Sequence, residues 1–207
     1  MFALVDKSDN SITKFLNGNR GINIGDIQYP KSIFTLWSES ERNAINIYTV
    51  TIDESKRKDE QWYINTNMTY AFDGTNATGS YGTATAKSHA DTLYTAQDET
   101  DGLGTEGEVR NRGLKYHLIQ TVKAQAAGEL SRTDWYITRK AEKSTAIPSA
   151  ITTHRNLVRS RQAAMETSIT NASDTPALET LYTYVNTADE GDPEVYERPL
   201  AVIPTLD

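Results

Sequence analysis

No cysteine occurs anywhere in the chain. Disulfides, thiolate zinc sites, iron–sulfur clusters and cysteine nucleophiles are therefore excluded, and the redox compartment is left open. No apolar run approaches the ~18 residues that a membrane-spanning helix needs. The opening Met1-Phe2-Ala3-Leu4-Val5-Asp6-Lys7 meets charge after five residues, too early for the core of a secretory signal. A soluble product made in the cytoplasm, with no membrane insertion, is expected. Large aliphatic side chains are scarce: Phe, Ile, Leu and Val together number 40 of 207, at the edge of the range where a chain buries too little to fold. Eleven Tyr and three Trp work against that shortage, because each aromatic buries a large area. The balance implies a folded protein with a thin core, divided or extended, and completed by neighbouring chains.

The formal charge is −7, which disfavours nucleic acid as the main partner. Its distribution is uneven. Residues 1–107 carry 9 basic and 15 acidic side chains, residues 108–187 carry 11 and 7, and residues 188–207 carry 1 and 6. A basic middle block between two acidic ones suits contact between the parts or an oriented assembly with other chains.

The texture changes at the same borders. Phe2–Asp6 and Ser11–Leu16 flank the turn cluster Lys7-Ser8-Asp9-Asn10, which reads as a hairpin. Ile22 to Tyr29 alternates and ends at Pro30. Ser38 with Glu41 three residues on predicts a capping box opening a short helix. Ile47–Ile52 is β-branched and alternating, the clearest strand pattern in the chain. Trp62, Ile64, Met68, Tyr70 and Phe72 fall on one face of a further strand, while Asp73 to Ser80 reads as a turn with a weak strand after it.

From Gly113 the period becomes helical. Leu114, Leu118, Val122, Ala126 and Leu130 form one apolar stripe. Thr133 is placed to cap a second helix, with Asp134 favouring the positive end of its dipole. Pro148 opens a third helix, whose inner side is expected to carry Ile151, His154, Leu157, Val158, Met165 and Ile169. Asp174-Thr175-Pro176 begins a fourth. The expected class is α+β: a β-rich domain over 1–97, an acidic Gly-containing linker over 98–108, a helical hairpin or bundle over 109–187, and an extended acidic arm over 188–207, ordered only if docked.

Chemistry-bearing patterns are few. Gly102-Leu103-Gly104-Thr105-Glu106-Gly107 spells G-x-G-x-x-G, but acidic residues precede it where a dinucleotide loop needs a buried strand. It reads as a hinge. Histidines at 89, 117 and 154 never adopt the H-x-x-x-H spacing, so no metal site is expected. The acids at 53–60 and 98–106 lack the glycine and glutamate positions of a calcium loop. No cofactor follows from any of these. Arg155, Arg159 and Arg161, with Arg139 and Lys140, are expected to pair with acidic segments of this chain or of a partner.

The stretch Thr133-Asp134-Trp135-Tyr136-Ile137-Thr138-Arg139-Lys140-Ala141-Glu142, then Ile147-Pro148, then His154-Arg155-Asn156-Leu157-Val158-Arg159, resembles a helical module. That module lies near the C-terminus of tail-fibre, baseplate-associated and fibre-assembly proteins of tailed bacteriophages, notably marine ones. His154 stands where that family often has tyrosine. Residues 1–101, including Ile27-Gln28-Tyr29-Pro30 and Phe34-Thr35-Leu36-Trp37-Ser38, are similar to the amino half of such proteins. The resemblance implies a virion or virion-assembly role with no catalysis attached, hence a non-enzyme docked to other phage tail proteins. It also implies a homo-oligomer, trimeric or arranged on a symmetry axis, with a host surface glycan or receptor as a further partner. Asp134, Trp135, Tyr136, Arg139, Arg155 and Arg159 are the candidate interaction residues. Asp134 and Arg139 lie too far round the helix to pair with each other, which leaves Arg139 for another helix or chain. In the plainer reading Trp135 fills the core and the arginines bridge helices. An assembly chaperone and a glycan-binding or glycan-degrading tail protein are the competing functions.

Overall fold

A computed structural model describes residues 1–206. It is α+β, and it divides into two compact units, Met1–Thr85 and the remainder from Ala86.

The first unit begins with strands β1 (Phe2–Asp6) and β2 (Ser11–Leu16), a hairpin in the expected antiparallel register. Next come β3 (Ile22–Ile24) and β4 (Ile27–Tyr29), then helices α1 (Ile33–Leu36) and α2 (Glu39–Ala44), then β5 (Ile47–Asp53), β6 (Tyr63–Ile64), β7 (Thr69–Phe72) and β8 (Ala77–Ser80). Five strands form a sheet in the order β2-β1-β5-β8-β7, antiparallel except between β5 and β8. The sheet curls far enough that Phe15 on β2 and Tyr70 on β7, its two edge strands, stack with ring centroids 4.7 Å apart. Strand alternation places a small core on each face. Ala3, Val5, Tyr48, Val50, Phe72 and Ala77 fill one, and Ile22, Ile33, Phe34 and Ile47 fill the other.

The Ser38–Glu41 capping box forms as its spacing predicts. Three other local expectations change. Ile22–Tyr29 is a hairpin instead of one strand, reversing at Gly25 with φ +56°, a conformation glycine adopts without strain. Trp62–Phe72 splits into β6 and β7, so Trp62 is buried while Ile64 is 60% exposed. Ala77–Ser80, expected within a turn, is a central strand. Its small side chains are what fit there: a Cβ on Gly79 would lie 2.7 Å from the Tyr70 ring and 2.9 Å from Met68 Sδ.

A two-residue strand, β9 (Thr85–Ala86), spans the division between the units. The second unit opens with β10 (Thr92–Leu93), α3 (Ala96–Thr100) and β11 (Val109–Asn111). The expected linker 98–108 sits inside this unit, and its glycines close an ordered loop. Leu103 N–H donates to Asp98 O at 2.8 Å, Gly107 N–H donates to Tyr94 O at 3.0 Å, and Gly102 and Gly107 take φ of +71° and +83°.

Helices α4 (Leu114–Ser131), α5 (Asp134–Lys143), α6 (Ser149–Asn171) and α7 (Thr175–Tyr182) follow. α4 and α6 run antiparallel. Lys115 Nζ reaches Thr170 O at 2.9 Å near one end, and Glu129 meets His154 at the other. Val122, Ala126, Val158, Met165 and Ile169 line their interface. Asp174 caps α7 by accepting from Ala177 N–H.

The arm is docked on this unit, not free. After a two-residue pairing of β12 (Val185–Asn186) with β13 (Tyr196–Glu197), Leu200 is 1% exposed and its N–H donates to Leu181 O at 2.9 Å.

Two glycines test this packing in opposite directions. A Cβ on Gly113 would collide with the Ala90 backbone, so Gly113→Ala should cost about 1–3 kcal/mol of stability. A Cβ on Gly128, inside α4, meets nothing within 4 Å, so Gly128→Ala should add about 0.5–1 kcal/mol. Urea unfolding midpoints check both, with equal m-values as the control.

Candidate interaction site

α4 ends at Ser131 and α5 begins at Asp134, so only Arg132 and Thr133 make the turn. Orphan carbonyls of one helix therefore lie beside the start of the next. Thr133 is 1% exposed, but it does not cap α5 with its side chain. Its hydroxyl instead donates to Leu130 O at 3.0 Å and accepts from Arg155 Nη1 at 2.7 Å. Arg155 Nη1 also donates to Leu130 O at 2.7 Å and lies 2.9 Å from Asp134 Oδ1. One buried guanidinium on α6 thus ties the Leu130 carbonyl of α4, the turn and the first residue of α5. Arg155 pairs with Asp134, an acid of its own basic block and of neither acidic segment. These bonds offset much of the cost of burying the charge, although Arg155 Nε is buried without a partner.

One turn back along α4, Glu129 is buried. Its carboxylate accepts from Arg132 Nη1 at 3.0 Å and from Leu206 N–H at 2.7 Å, and His154 Nε2 lies 3.0 Å from Oε1. A carboxylate can only accept, so the proton of that last bond sits on Nε2. Burial pushes the Glu129 pKa up. The Arg132 hydrogen bond, the Leu206 amide, the Arg132 charge and His154 together outweigh it and hold the group below the ordinary glutamate value of 4.5. Arg132 Nη2 donates to Leu206 O at 3.0 Å. Glu129 and Arg132 therefore grip both backbone groups of a single arm residue.

Of the remaining candidates, Trp135 and Arg159 are exposed and Tyr136 and Arg139 half-buried. α5 buries none of its residues. Trp135 is 52% exposed, which corrects the plainer reading in which it fills the core. Its ring lies 3.9 Å from that of Tyr136. The Arg139 guanidinium sits 4.6 Å from the Trp135 ring and 5.2 Å from the Tyr136 ring. Arg139 thus pairs through cation–π contact within its own helix, at the i+4 and i+3 spacings. Ile137 is exposed elsewhere on the same helix. Arg159 is exposed on α6 and forms no ion pair among the described residues.

The structure thus brings Asp134 and Arg155 together, gathers Trp135, Tyr136 and Arg139 into one surface cluster, and leaves Arg159 apart. Sequence reasoning missed the Glu129–Arg132–Leu206 grip. Its one local signal is the i, i+3 spacing of Glu129 and Arg132. Among the described residues no group of three or more His, Asp or Glu is placed to hold a metal ion, and no helix is long and apolar enough to cross a membrane. No protein-family model matches the chain, and no curated protein or solved structure matches it.

Arg155→Met should cost about 2–3 kcal/mol, because it strips charged hydrogen bonds from Leu130 O and the Thr133 hydroxyl. Asp134→Asn should cost under ~1 kcal/mol, since that carboxylate is largely in water. Glu129 titrates lower folded than unfolded. Its contribution to stability is complete above its ordinary value and is lost as pH falls through the folded value. Acid unfolding of Glu129→Gln should accordingly lose part of the wild-type pH dependence, measured as stability against pH between about 3 and 6.

Proposed function

We propose that this chain is a non-enzymatic structural component of a tailed-phage virion, in the tail-fibre or baseplate region, where it docks to other virion proteins as one of several symmetry-related copies. The observation that carries the reading is α5, a ten-residue helix bearing Trp, Tyr and Ile that buries none of its residues. Tryptophan, tyrosine and arginine are the residues most enriched where one protein anchors on another. Here they form one rigid stack, because Arg139 lies over both rings. Such a stack loses little conformational freedom on binding. The same residues carry the resemblance to phage tail proteins.

Surface area supports the same reading. The chain exposes 13485 Å², whereas two compact units of these sizes would expose about 11,600 Å². The excess, about 1,900 Å², is more than the ~800 Å² that each partner contributes to one standard interface. Tyr116, Leu157, Tyr184, Val185, Val195 and Tyr196 are among the second unit's exposed large apolar side chains. Contact with partners would remove such surface from water and stabilise the fold by mass action.

A glycan-binding role has one observation in its favour. The first unit carries a groove of about 450 Å³ whose lining includes Lys14, Phe15, Asn17, Arg20, Asn23 and Phe34. It has aromatic faces and two cations, a lining that suits an acidic sugar.

Trp135→Ala should leave the unfolding midpoint within experimental error of wild type. It should weaken binding to the neighbouring virion protein by about 30-fold or more. Incorporation into purified particles and affinity for the isolated partner measure this. Stoichiometric presence of the wild-type chain in particles supports the structural role, and its absence supports the chaperone. An unchanged affinity in the variant would remove α5 as the anchor.

A further inference from the structure

We propose that the C-terminal arm, residues 199–206, is exchanged between copies of this chain, each arm seating in the Glu129–Arg132 grip of a second copy. This goes beyond docking through α5 and does not depend on it.

The grip recognises backbone. Glu129 takes the N–H of Leu206 and Arg132 takes its C=O, and both groups are identical on the arm of any other copy. The second anchor is equally transferable. Leu200 fills a closed apolar site and donates to Leu181 O. Every bond that holds the arm within one molecule therefore forms between two molecules at the same length and angle, the condition that makes exchange of an element an inexpensive route to oligomers.

The connection is built to let go. None of residues 184–199 is buried. They are held by surface contacts: β12 pairs with β13, Thr187 and Asn186 bond the Val195 backbone, and Arg198 lies over the Tyr182 and Tyr184 rings, with a turn at Gly191 at φ +95°.

Self-docking has one advantage, because a short tether gives the arm an effective concentration in the millimolar range. Exchange must therefore gain surface elsewhere. Tyr184, Val185, Val195 and Tyr196, all about half exposed on the β12–β13 hairpin, meet their counterparts when two arms cross. Apolar burial of that kind is the term that shifts the balance.

The absence of native cysteine makes a clean test. Ser131→Cys and Thr205→Cys place one thiol beside each half of the grip without removing Glu129, Arg132 or Leu206, and both positions are exposed. The two single variants, distinguishable by mass, are unfolded together in urea, refolded as a mixture and treated with a short bismaleimide. A third single variant, Lys7→Cys, measures random collision. Exchange predicts a covalent product joining residue 131 of one chain to residue 205 of the other, several-fold above the Lys7 control. Adding Leu200→Asp to the Thr205→Cys chain should abolish that product, and adding Trp135→Ala should leave it unchanged. The proposal is overturned if the mixture yields no 131–205 product above the control. The doubly substituted chain, which links within itself when the arm docks on its own unit, shows that the chemistry works.

Discussion

A shortage of large aliphatic side chains governs this structure. The first unit manages with two small clusters, one on each face of a single curled sheet. The second has a single line of contact between α4 and α6, extended by Leu178 and by Leu200 from the arm. Where a richer sequence would place leucine at the crossing of three helices, this one places Arg155 and Glu129. Each is bonded to several partners, which offset the cost of burying charge, although Arg155 Nε has none.

That choice has a geometric consequence. Apolar contact is non-directional and tolerates sliding, whereas a guanidinium bound to Leu130 O, Thr133 Oγ1 and Asp134 Oδ1 admits one arrangement of the helix ends. The turn between α4 and α5 is held from behind by α6, so the outward face of α5 is presented at a set angle. A rigid platform carrying an exposed Trp–Tyr–Arg stack is a suitable base for recognition. On this reading, polar interior and apolar exterior are two aspects of one design, in which part of the apolar material is kept for partners.

Elements defined by local rules were legible. The β1–β2 hairpin, the Ser38–Glu41 capping box, strand β5, the stripe of α4 and the Asp174 cap of α7 all follow from spacing within a few residues. The failures share a cause. Ala77–Ser80 has weak strand character, yet its smallness is what lets Tyr70 and Met68 lie against it. Leu157 sits at helical spacing with Ile151 and Val158 but faces outward, while Arg155 faces inward because Thr133 and Asp134 wait there. Of the candidate site, the sequence named Asp134, Trp135, Tyr136, Arg139, Arg155 and Arg159 but not which of them meet. The partners of Arg139 were not readable, since stacking on its own helix competes with pairing elsewhere.

By itself, the order of residues determined the class, the position of most helices, and the presence of a thin core, because periodicity, capping and composition act over a few residues or are simple totals. Only the tertiary structure decided which charges go inside, that the glycines at 102–107 close a loop within the second unit, and that the arm returns to its own helices. The burial of Arg155 and Glu129 and the return of the arm depend on groups 19 to 77 residues apart. Whether a polar side chain is satisfied in the interior is a property of the assembled neighbourhood, which no local pattern carries.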